Sequence, residues 1–319
     1  MAELRGGIDL GGTKIQAAIV DSGGQVSGEA RRPTPTGGGP QDVAEAMAAA
    51  LREAAELAGV ETASLQGVGV GSPGDVDEKT GVVSSARNLP GWEGSFPLAQ
   101  ALQEALGAEV RVGNDVQVAT EAEFHLGAGR EFQSLIGVFW GTGVGGGLVL
   151  DGKPWLGRGA AGEIGHVVVK RGGAKCPCGR KGCLEAYAGR SAMEAEARRQ
   201  HEEGHKTDLF HLMEKRGRER LTSGVWAAAL DREDRMAKDL IHRALAALGA
   251  GIASAVNLLD LEAVVIGGGL GTRLGEPYVE RIAAAMQPHL FVDDRPPAML
   301  PAALGDLGGA IGASLLFER

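Results

Sequence analysis

Two stretches of the sequence repeat one another and decide the fold. The first is Gly7-Ile8-Asp9-Leu10-Gly11-Gly12-Thr13-Lys14, which continues to Ile19-Val20-Asp21. The second is Gly137-Val138-Phe139-Trp140-Gly141-Thr142-Gly143-Val144, which continues to Val149-Leu150-Asp151. The offset between them is 130 residues, and each reads as a strand, a glycine turn, a second strand and an aspartate turn. We therefore predict two β-hairpins in two copies of one domain, because a repeat this long is not typical of a solenoid.

Outside the hairpins, strand-like and helix-like patterns alternate. Helices are predicted over residues 42–57, 97–106, 277–286 and 307–317, strands over 68–71, 110–113 and 263–266, and a mostly helical segment over 184–258 with breaks near Gly204, Gly217 and Gly224. This alternation predicts an α/β fold. Two glycine tips that face one another across a cleft could hold a polyphosphate through their backbone N–H groups. The alternative is two ordinary hairpins with glycine turns.

Composition excludes several classes of protein. Glycine makes up 52 of 319 residues, but there is no Gly-X-Y period and 44% of the residues are hydrophobic, so the chain is neither collagen-like nor largely disordered. The net charge of −9 argues against a general binder of nucleic acid or of anionic membranes. Residues 1–7 show no apolar leader, so we expect a cytoplasmic protein. Residues 245–270 are the most apolar stretch, but polar side chains interrupt them, which predicts a buried helix and a strand rather than a membrane span.

All three cysteines lie within eight residues of sequence and predict a metal site. They are Cys176, Cys178 and Cys183, and His166 precedes them. Three thiolates and one imidazole complete a tetrahedral zinc shell, which is structural because it leaves no position for water. The alternative is a group of reactive or simply buried cysteines. Folding around zinc would also position the carboxylates of Glu163 and Glu185, and two such carboxylates suit a ligand with several hydroxyl groups.

A second polar pair, Asn114-Asp115, follows the predicted strand 110–113. Ligands gather at the ends of strands in open α/β sheets, but either residue could simply cap the following helix. If the ligand is a sugar and the two glycine tips hold ATP, Asp115 could accept the proton of the attacking hydroxyl. We expect an ordinary carboxyl pKa near ~4 for it, so that it is ionised at neutral pH without tuning.

One catalytic pattern is discounted. His201-Glu202-Glu203-Gly204-His205 matches the H-E-x-x-H pattern of zinc proteases, but it lies in a charged run with a glycine inside the supposed helix. We predict that it is a solvated surface rather than a metal site.

Together these motifs make the chain resemble the ROK family (repressors, open reading frames and sugar kinases) within the hexokinase, Hsp70 and actin superfamily. Asp9–Lys14 resembles the first phosphate motif of the family, and Gly141–Gly147 resembles the second. Val265–Leu270 resembles its adenosine motif. Gly162–His166, together with Cys176–Glu185, resembles its zinc signature. The resemblance covers nearly the whole chain.

The resemblance implies a fold of duplicated actin-like (ribonuclease H-like) ATPase domains with a cleft between them. The small domain is expected at residues 1–115 and the large domain at 116–303, with the zinc loop at 166–185. The C-terminal helix, 304–319, is expected to pack back on the small domain. Family members are commonly dimers or tetramers, so a homo-oligomer is also expected.

The resemblance further implies an ATP-dependent hexose kinase that phosphorylates the 6-hydroxyl of glucose, with Asp115 as the general base. The implied sugar-binding residues are Gly74, Asn88, Asn114, Asp115, Glu163, His166 and Glu185. The implied nucleotide-binding residues are Asp9, which would bind Mg²⁺ through its waters, and Gly11, Gly12, Thr13, Lys14, Gly141, Thr142, Gly143, Gly145, Gly268 and Gly269. The implied ligands of a structural Zn²⁺ are His166, Cys176, Cys178 and Cys183, and in the family the histidine serves both zinc and sugar.

Two alternatives stay open. One is an N-acetylhexosamine kinase, acting on GlcNAc or ManNAc, which would use the same motifs with a wider pocket at C2. The other is a sugar-sensing repressor, but repressors of the family carry a helix-turn-helix domain before the first phosphate motif, which here begins at residue 9. Val116-Gln117 departs from the Ala-Asn of many relatives, and the charged segment 194–219 matches no part of the family pattern.

Overall fold

The computed structural model describes residues 3–86 and 89–318. Its strands are β1 (Arg5–Leu10), β2 (Lys14–Val20), β3 (Val26–Pro33), β4 (Val68–Ser72), β5 (Asp75–Asp77), β6 (Val82–Ser84), β7 (Ser95–Phe96), β8 (Val110–Asn114), β9 (Leu135–Trp140), β10 (Val144–Leu150), β11 (Lys153–Pro154), β12 (Ala263–Gly267) and β13 (Ala298–Pro301). Its α-helices are α1 (Pro40–Ala58), α2 (Leu98–Leu106), α3 (Asp115–His125), α4 (Glu185–Ala188), α5 (Arg190–Glu202), α6 (Leu209–Lys215), α7 (Ser223–Asp231), α8 (Arg235–Leu259), α9 (Gly268–Leu274), α10 (Glu276–Met286) and α11 (Gly308–Ser314).

Two five-stranded sheets of identical topology form the core of the fold. Their strand orders are β3-β2-β1-β4-β8 and β11-β10-β9-β12-β13. In each sheet three antiparallel strands, which contain the predicted hairpin, continue into two parallel strands. The prediction of a duplicated α/β fold is therefore confirmed.

The hydrogen-bonded register of the two hairpins differs by one residue. Four residues, Gly11–Lys14, separate the paired Leu10 and Ile15, whereas three residues, Gly141–Gly143, separate the paired Trp140 and Val144. The bounds of all four strands keep the predicted offset of 130 residues, and the two hairpins differ only in the pairing across the tip, which has one residue fewer in the second.

Each sheet sends its last helix onto the other sheet. Helix α3, which follows β8, packs on β9 and β10, and helix α11, which follows β13, packs on β1 and β4. A Cβ on Gly7 would overlap the carbonyl oxygen of Ala310, and one on Gly69 would overlap that of Ala313. Glycine in these strands is therefore required for the close approach of α11. The domain boundaries at 115/116 and 303/304 stay a prediction.

Helix α1 shows how the first sheet obtains its core. Its apolar side chains, including Val43, Met47 and Leu51, recur at helical spacing and are fully buried against the sheet. The carboxylate of Asp42 accepts a hydrogen bond from the Gly39 N–H at the start of the helix, at 2.8 Å. Gly59 ends the helix with φ of +70°, a left-handed conformation that glycine adopts without strain.

The apolar stretch 245–270 is a buried helix followed by a strand, as predicted. Within the described ranges, α8 is the single helix whose length and composition would suffice to cross a membrane. Its apolar side chains instead pack in the core of the second half of the molecule, beside α4 and α10. Core packing accounts for its hydrophobicity.

Several local predictions fail. Gly224 does not break a helix but lies inside α7, and the break falls at residues 232–234, where Asp234 caps α8 by accepting from the Ala237 N–H at 2.8 Å. Strands β3 and β13 and helix α9 have no counterpart in the sequence prediction. Strand β3 carries charges on its exposed face and β13 spans only four residues, so neither produces a clear hydrophobic pattern.

Candidate active site

Three parallel strands of the first sheet end at one edge of the cleft. Asp9 of β1 pairs with Gly71 of β4, which pairs with Gly113 of β8. The carboxylate of Asp9 and the Asn114-Asp115 pair therefore emerge at the same edge of the sheet. A Cβ on Gly71 would approach the Asp115 Cα to 3.3 Å, so the missing side chain leaves room for α3 to begin beside it.

Asn114 and Asp115 have different positions at the start of α3. The Asn114 Oδ1 accepts hydrogen bonds from the N–H groups of Val116 and Gln117, both at 3.1 Å, and is the N-cap of the helix. Asp115 is the first helical residue, and its Oδ1 accepts from the Val116 N–H at 2.9 Å. The capping alternative therefore holds for Asn114, while the Asp115 carboxylate lies in the cleft.

The electrostatics of the cleft contradict the expectation of an ordinary pKa for Asp115. Burial, followed by the like charges of Asp9 and Glu163, raises the pKa of Asp115 to about 7. Burial also raises the pKa of Asp9 to about 6, against the opposing effect of Lys14. These carboxylates converge from distant parts of the sequence, which is why a reference pKa fails here. A mutually repelling set of hard oxygen donors is the type of site that binds Mg²⁺.

The second glycine tip is held by two side chains. The Glu185 Oε2 accepts from the Val144 N–H at 2.9 Å, and a Cβ on Gly143 would overlap that oxygen. On the other side, the Arg190 guanidinium donates to the Thr142 hydroxyl at 2.7 Å. Because Gly143 has no side chain, the Glu185 carboxylate can approach the tip on that side. Thr142 itself is exposed.

The adenosine motif adjoins this tip. A Cβ on Gly141 would lie 3.7 Å from the Gly269 nitrogen, so the two glycine motifs form one continuous surface. Gly268 has φ of +79°, and a side chain there would crowd the Trp140 backbone. Gly145, in contrast, lies inside β10 and packs against Val116 of α3.

The first tip presents its own charge. Gly12 and Thr13 are exposed, and Gly11 closes the turn by donating its N–H to the Lys14 carbonyl at 2.9 Å. The Lys14 ammonium forms an ion pair with Asp306 at 3.3 Å. Gly74, between β4 and β5, has φ of +98°, and a Cβ there would approach the Ser84 carbonyl oxygen to 2.7 Å. Asn88 lies outside the described residues.

The four expected zinc ligands come together. The ligand atoms of His166, Cys176, Cys178 and Cys183 all lie within 4.8 Å of one another. The Sγ atoms of Cys178 and Cys183 are 3.8 Å apart, as are the Cys176 Sγ and the His166 Nδ1. A tetrahedral shell with Zn–S bonds of ~2.3 Å has edges of about 3.8 Å, whereas a disulfide needs about 2 Å. The residues present therefore fit a closed zinc site.

The cysteine loop touches both predicted sugar-binding glutamates. The Nε2 of His166 faces the Glu163 carboxylate at 3.8 Å, while its Nδ1 faces the cysteines. The Glu185 Oε1 lies 3.9 Å from the Cys176 Sγ. The two ring nitrogens of His166 thus face different partners, which is the arrangement expected of a histidine that serves two sites.

Two side chains of α3 that the sequence analysis did not assign connect the halves of the molecule. The buried Gln117 amide donates to the Leu148 carbonyl at 3.2 Å, and its oxygen accepts from the Leu148 N–H at 3.0 Å. Glu123, also buried, accepts from the N–H groups of Ala303 and Leu304. The departure at Gln117 is therefore a contact between α3 and β10, and nothing in the local sequence signals that partner.

The H-E-x-x-H stretch is a surface, as predicted. All five residues, His201–His205, are exposed, and α5 ends at Glu202. Gly204 has φ of +93°, which prevents the helix that a zinc protease motif needs.

Two sheets of one topology, exchanged last helices and a cleft lined by carboxylates and glycine tips define a protein of the actin-like ATPase class. The ROK family model matches residues 5–319. The chain belongs to the ROK family.

Known proteins similar to this chain include two kinds of sugar kinase. A glucokinase of Thermotoga maritima is 32% identical over 98% of this chain and 97% of its own length. An N-acetylmannosamine kinase of Salmonella typhi is 31% identical, again over 98% and 97%. Among solved structures, a ROK family glucokinase from Streptomyces griseus in complex with glucose and AMPPNP is 31% identical, covers 98% of both chains and has a TM-score of 0.83.

Proposed function

We propose that this protein is an ATP-dependent glucokinase that transfers the γ-phosphoryl group to the 6-hydroxyl of glucose. One observation carries the proposal: Asp115, which directly follows β8, is a carboxylate whose burial, together with the charges of Asp9 and Glu163 close to it, raises its pKa to about 7. A base with this pKa is partly ionised at neutral pH and more basic than an ordinary carboxylate. The similarity to glucokinases over the full length of the chain supports the choice of reaction.

In this mechanism the residues of the first half act on the reacting atoms. Asp115 accepts the proton of the sugar hydroxyl while that oxygen forms its bond to the γ-phosphorus. The bond from the γ-phosphorus to the β,γ-bridging oxygen breaks, and ADP leaves with the electron pair. Mg²⁺, which the carboxylate of Asp9 fits, would neutralise charge on the phosphates when bound.

The sugar is proposed to bind between the cysteine loop and the end of β8. Glu163, His166 and Glu185 provide acceptors and a donor for several hydroxyl groups, and Asn114, Gly74 and Asn88 complete the proposed set. Because the cysteine loop contacts both glutamates, a structural zinc would position sugar ligands without taking part in chemistry.

The nucleotide is proposed to lie along the glycine motifs. Residues 11–14 and 141–143 would hold the phosphates, and Gly268 and Gly269 the adenosine, because the tip at Gly141 and the motif at Gly269 form one surface. Gly145 is proposed to belong to the same phosphate-binding residues. Because it lies inside β10 and has no side chain, only its backbone could contact the nucleotide. A cytoplasmic location and a homo-oligomeric state complete the proposal.

A donor and acceptor screen tests this function. ADP release from ATP and Mg²⁺ should be measured with glucose, mannose, fructose, GlcNAc and ManNAc, with a sugar-free reaction as control. We expect the highest kcat/KM with glucose. Absence of ADP release with every sugar would contradict kinase activity altogether.

N-acetylmannosamine kinase is the second candidate, because a relative with that activity is as similar to this chain as the glucokinases are. The same motifs serve both reactions, so the pocket at C2 decides between them. A kcat/KM for ManNAc or GlcNAc above that for glucose would select this candidate.

A further inference from the structure

The side chain of Arg190 is a cation fastened to the second glycine tip. Arg190 is the first residue of α5, and its backbone N–H donates to the Gly141 carbonyl at 3.1 Å. Its guanidinium donates to the Thr142 hydroxyl at 2.7 Å, while the Ser191 N–H donates to the Thr142 carbonyl at 3.0 Å. One hydrogen bond of the guanidinium and two backbone hydrogen bonds of residues 190 and 191 therefore join the start of the helix to the tip.

This cation forms no ion pair with the described residues. Within residues 3–86 and 89–318, no carboxylate lies within 4.0 Å of the Arg190 guanidinium. Burial, followed by the repulsion of Arg220, lowers the pKa of Arg190, against the weaker opposing effect of the Glu194 carboxylate. A partly buried guanidinium without a carboxylate partner is costly unless an anion binds it.

The nearest acid cannot supply that anion, because its oxygens are already bound. The Glu194 Oε1 accepts from Arg198 at 2.8 Å, and its Oε2 accepts from Arg220 at 3.1 Å and from the Leu221 N–H at 3.0 Å. Three arginines, Arg190, Arg198 and Arg220, thus surround one buried carboxylate. We call these three and Glu194 the arginine cluster, and it carries a formal excess of two positive charges.

The cluster lies beside the proposed path of the nucleotide. Arg220 donates to the Ser191 hydroxyl at 3.2 Å, next to the tip residue Thr142. The adenosine motif begins on the other side of the same tip, because a Cβ on Gly141 would lie 3.7 Å from the Gly269 nitrogen. An anion at the tip would therefore meet Arg190 at its edge.

We propose that Arg190 is a phosphate-binding residue for the nucleotide, held in place by its hydrogen bond to the Thr142 hydroxyl and by the backbone hydrogen bonds of α5 to the tip. This inference rests on the proposed function in that the nucleotide is taken to be ATP. A planar guanidinium presents two parallel N–H donors to phosphate oxygens, which a lysine cannot do. The cluster also gives a role to the charged segment 194–219. Its first residue, Glu194, binds Arg220, which directly follows the segment.

Nucleotide binding to the purified full chain tests the assignment. Calorimetric titrations with ADP and with adenosine are compared for the wild type, Arg190→Gln and Arg190→Lys. Arg218→Gln is the matched control, because Arg218 is an exposed arginine of the same part of the chain. We expect Arg190→Gln to weaken ADP binding about 10- to 100-fold while adenosine binding changes less than about twofold. Arg190→Lys should retain part of the ADP affinity, and Arg218→Gln should behave as the wild type.

Two results would overturn the proposal. One is unchanged ADP affinity in a folded Arg190→Gln protein. The other is an equal loss of ADP and adenosine affinity together with a lower melting temperature, which would mean that Arg190 only supports the shape of the tip. If the wild type binds ADP as expected but phosphorylates no sugar, the proposed kinase function fails while the role of Arg190 stands.

Discussion

The two glycine-tipped hairpins have the same strand topology but carry different side chains. Asp9 of β1 pairs with Gly71 of β4, and at the equivalent position Phe139 of β9 pairs with Gly267 of β12. One copy thus places a carboxylate at the end of the strand where the other places an aromatic ring. The duplication supplies two matching frames, and the residue at this one position gives only the first frame an acidic side chain there.

The last helices of the two sheets differ in the same way. Helix α3 begins with Asn114 and Asp115, which cap it and face the cleft, whereas α11 begins with two glycines. A Cβ on Gly309 would approach the Asp9 carboxylate to 2.7 Å. Helix α11 therefore leaves space for the Asp9 carboxylate, while α3 adds the carboxylate of Asp115.

The largest expected effect comes from Asp115→Asn, which removes the base from the first frame. We expect kcat to fall about 10³-fold, because general-base catalysis contributes about 10²- to 10⁴-fold. Glucose affinity, measured by calorimetry, should change only a few-fold because the amide keeps the shape. Retention of more than about a tenth of the wild-type kcat would remove Asp115 from this role.

Loss of the zinc ligands should be the next largest effect. Cys183→Ser should purify with less than about half an equivalent of zinc, and KM for glucose should rise at least about tenfold because Glu163 and Glu185 lose their support. Metal analysis by mass spectrometry and steady-state kinetics check this. Should wild-type protein purified without chelators already lack zinc, the cysteine site is not a zinc site.

Alanine at equivalent strand glycines tests the symmetry of the frame itself. A Cβ on Gly7 would overlap a backbone carbonyl of α11, whereas a Cβ on Gly137 would meet the hydroxyl of Thr120, a side chain that can rotate. We expect Gly7→Ala to lower the free energy of unfolding by about 3 kcal/mol or more, and Gly137→Ala by about 1 to 2 kcal/mol. Denaturant unfolding measures both, and equal losses would show that the two interfaces adapt alike.

The raised pKa of Asp115 predicts a pH profile. Only the ionised carboxylate accepts a proton, so kcat/KM for glucose should fall tenfold per pH unit below about pH 7, where Asp115 becomes protonated. An ordinary carboxyl would hold the rate constant down to about pH 5. A profile that is flat between pH 5 and 7 would contradict the electrostatics of this cleft.

The smallest expected effect is on stability, and its sign opposes the effect on catalysis. The folded pKa of Asp115 lies above its unfolded value of 3.8, so the ionised group destabilises the fold near and above pH 7, and this cost disappears as the pH falls toward 4. Asp115→Asn should therefore raise the melting temperature at pH 8, by at least about 2 °C. At pH 4.5 the gain should be absent, and a gain of the same size there would point to a cause other than charge.

Much of the candidate site could be predicted because its signals are local. The spacing of Cys176, Cys178 and Cys183 within eight residues predicts a cluster of ligand atoms, which the structure contains, and the strand before Asn114 predicts the edge of the sheet at which Asn114 emerges. The pKa of Asp115 could not be predicted, because Asp9 and Glu163 approach it only after folding. The role proposed for Arg190 could not be predicted for the same reason. It depends on the fact that the Glu194 carboxylate binds Arg198 and Arg220 rather than Arg190, which only the fold determines.

The glycine excess has two structural causes. Glycines in the tips at residues 11–12 and 141–143 do lie at the cleft. Gly7, Gly69 and Gly137 lie inside strands and serve the close packing of α11 and α3 instead. A glycine that admits a ligand and a glycine that admits a helix look alike in sequence, because both are defined by an absent side chain.

The sequence by itself determined the duplicated α/β frame, the glycine tips and the clustering of three cysteines in one loop. These follow from hydrophobic alternation, turn residues and ligand spacing, which act between residues close in the chain. Only the tertiary structure decided that the second tip has one residue fewer between its paired strands, that α3 and α11 exchange sheets, that burial, Asp9 and Glu163 raise the pKa of Asp115 and that Arg190 forms no ion pair with the described residues. Those properties depend on distances between groups far apart in sequence, and packing alone sets such distances.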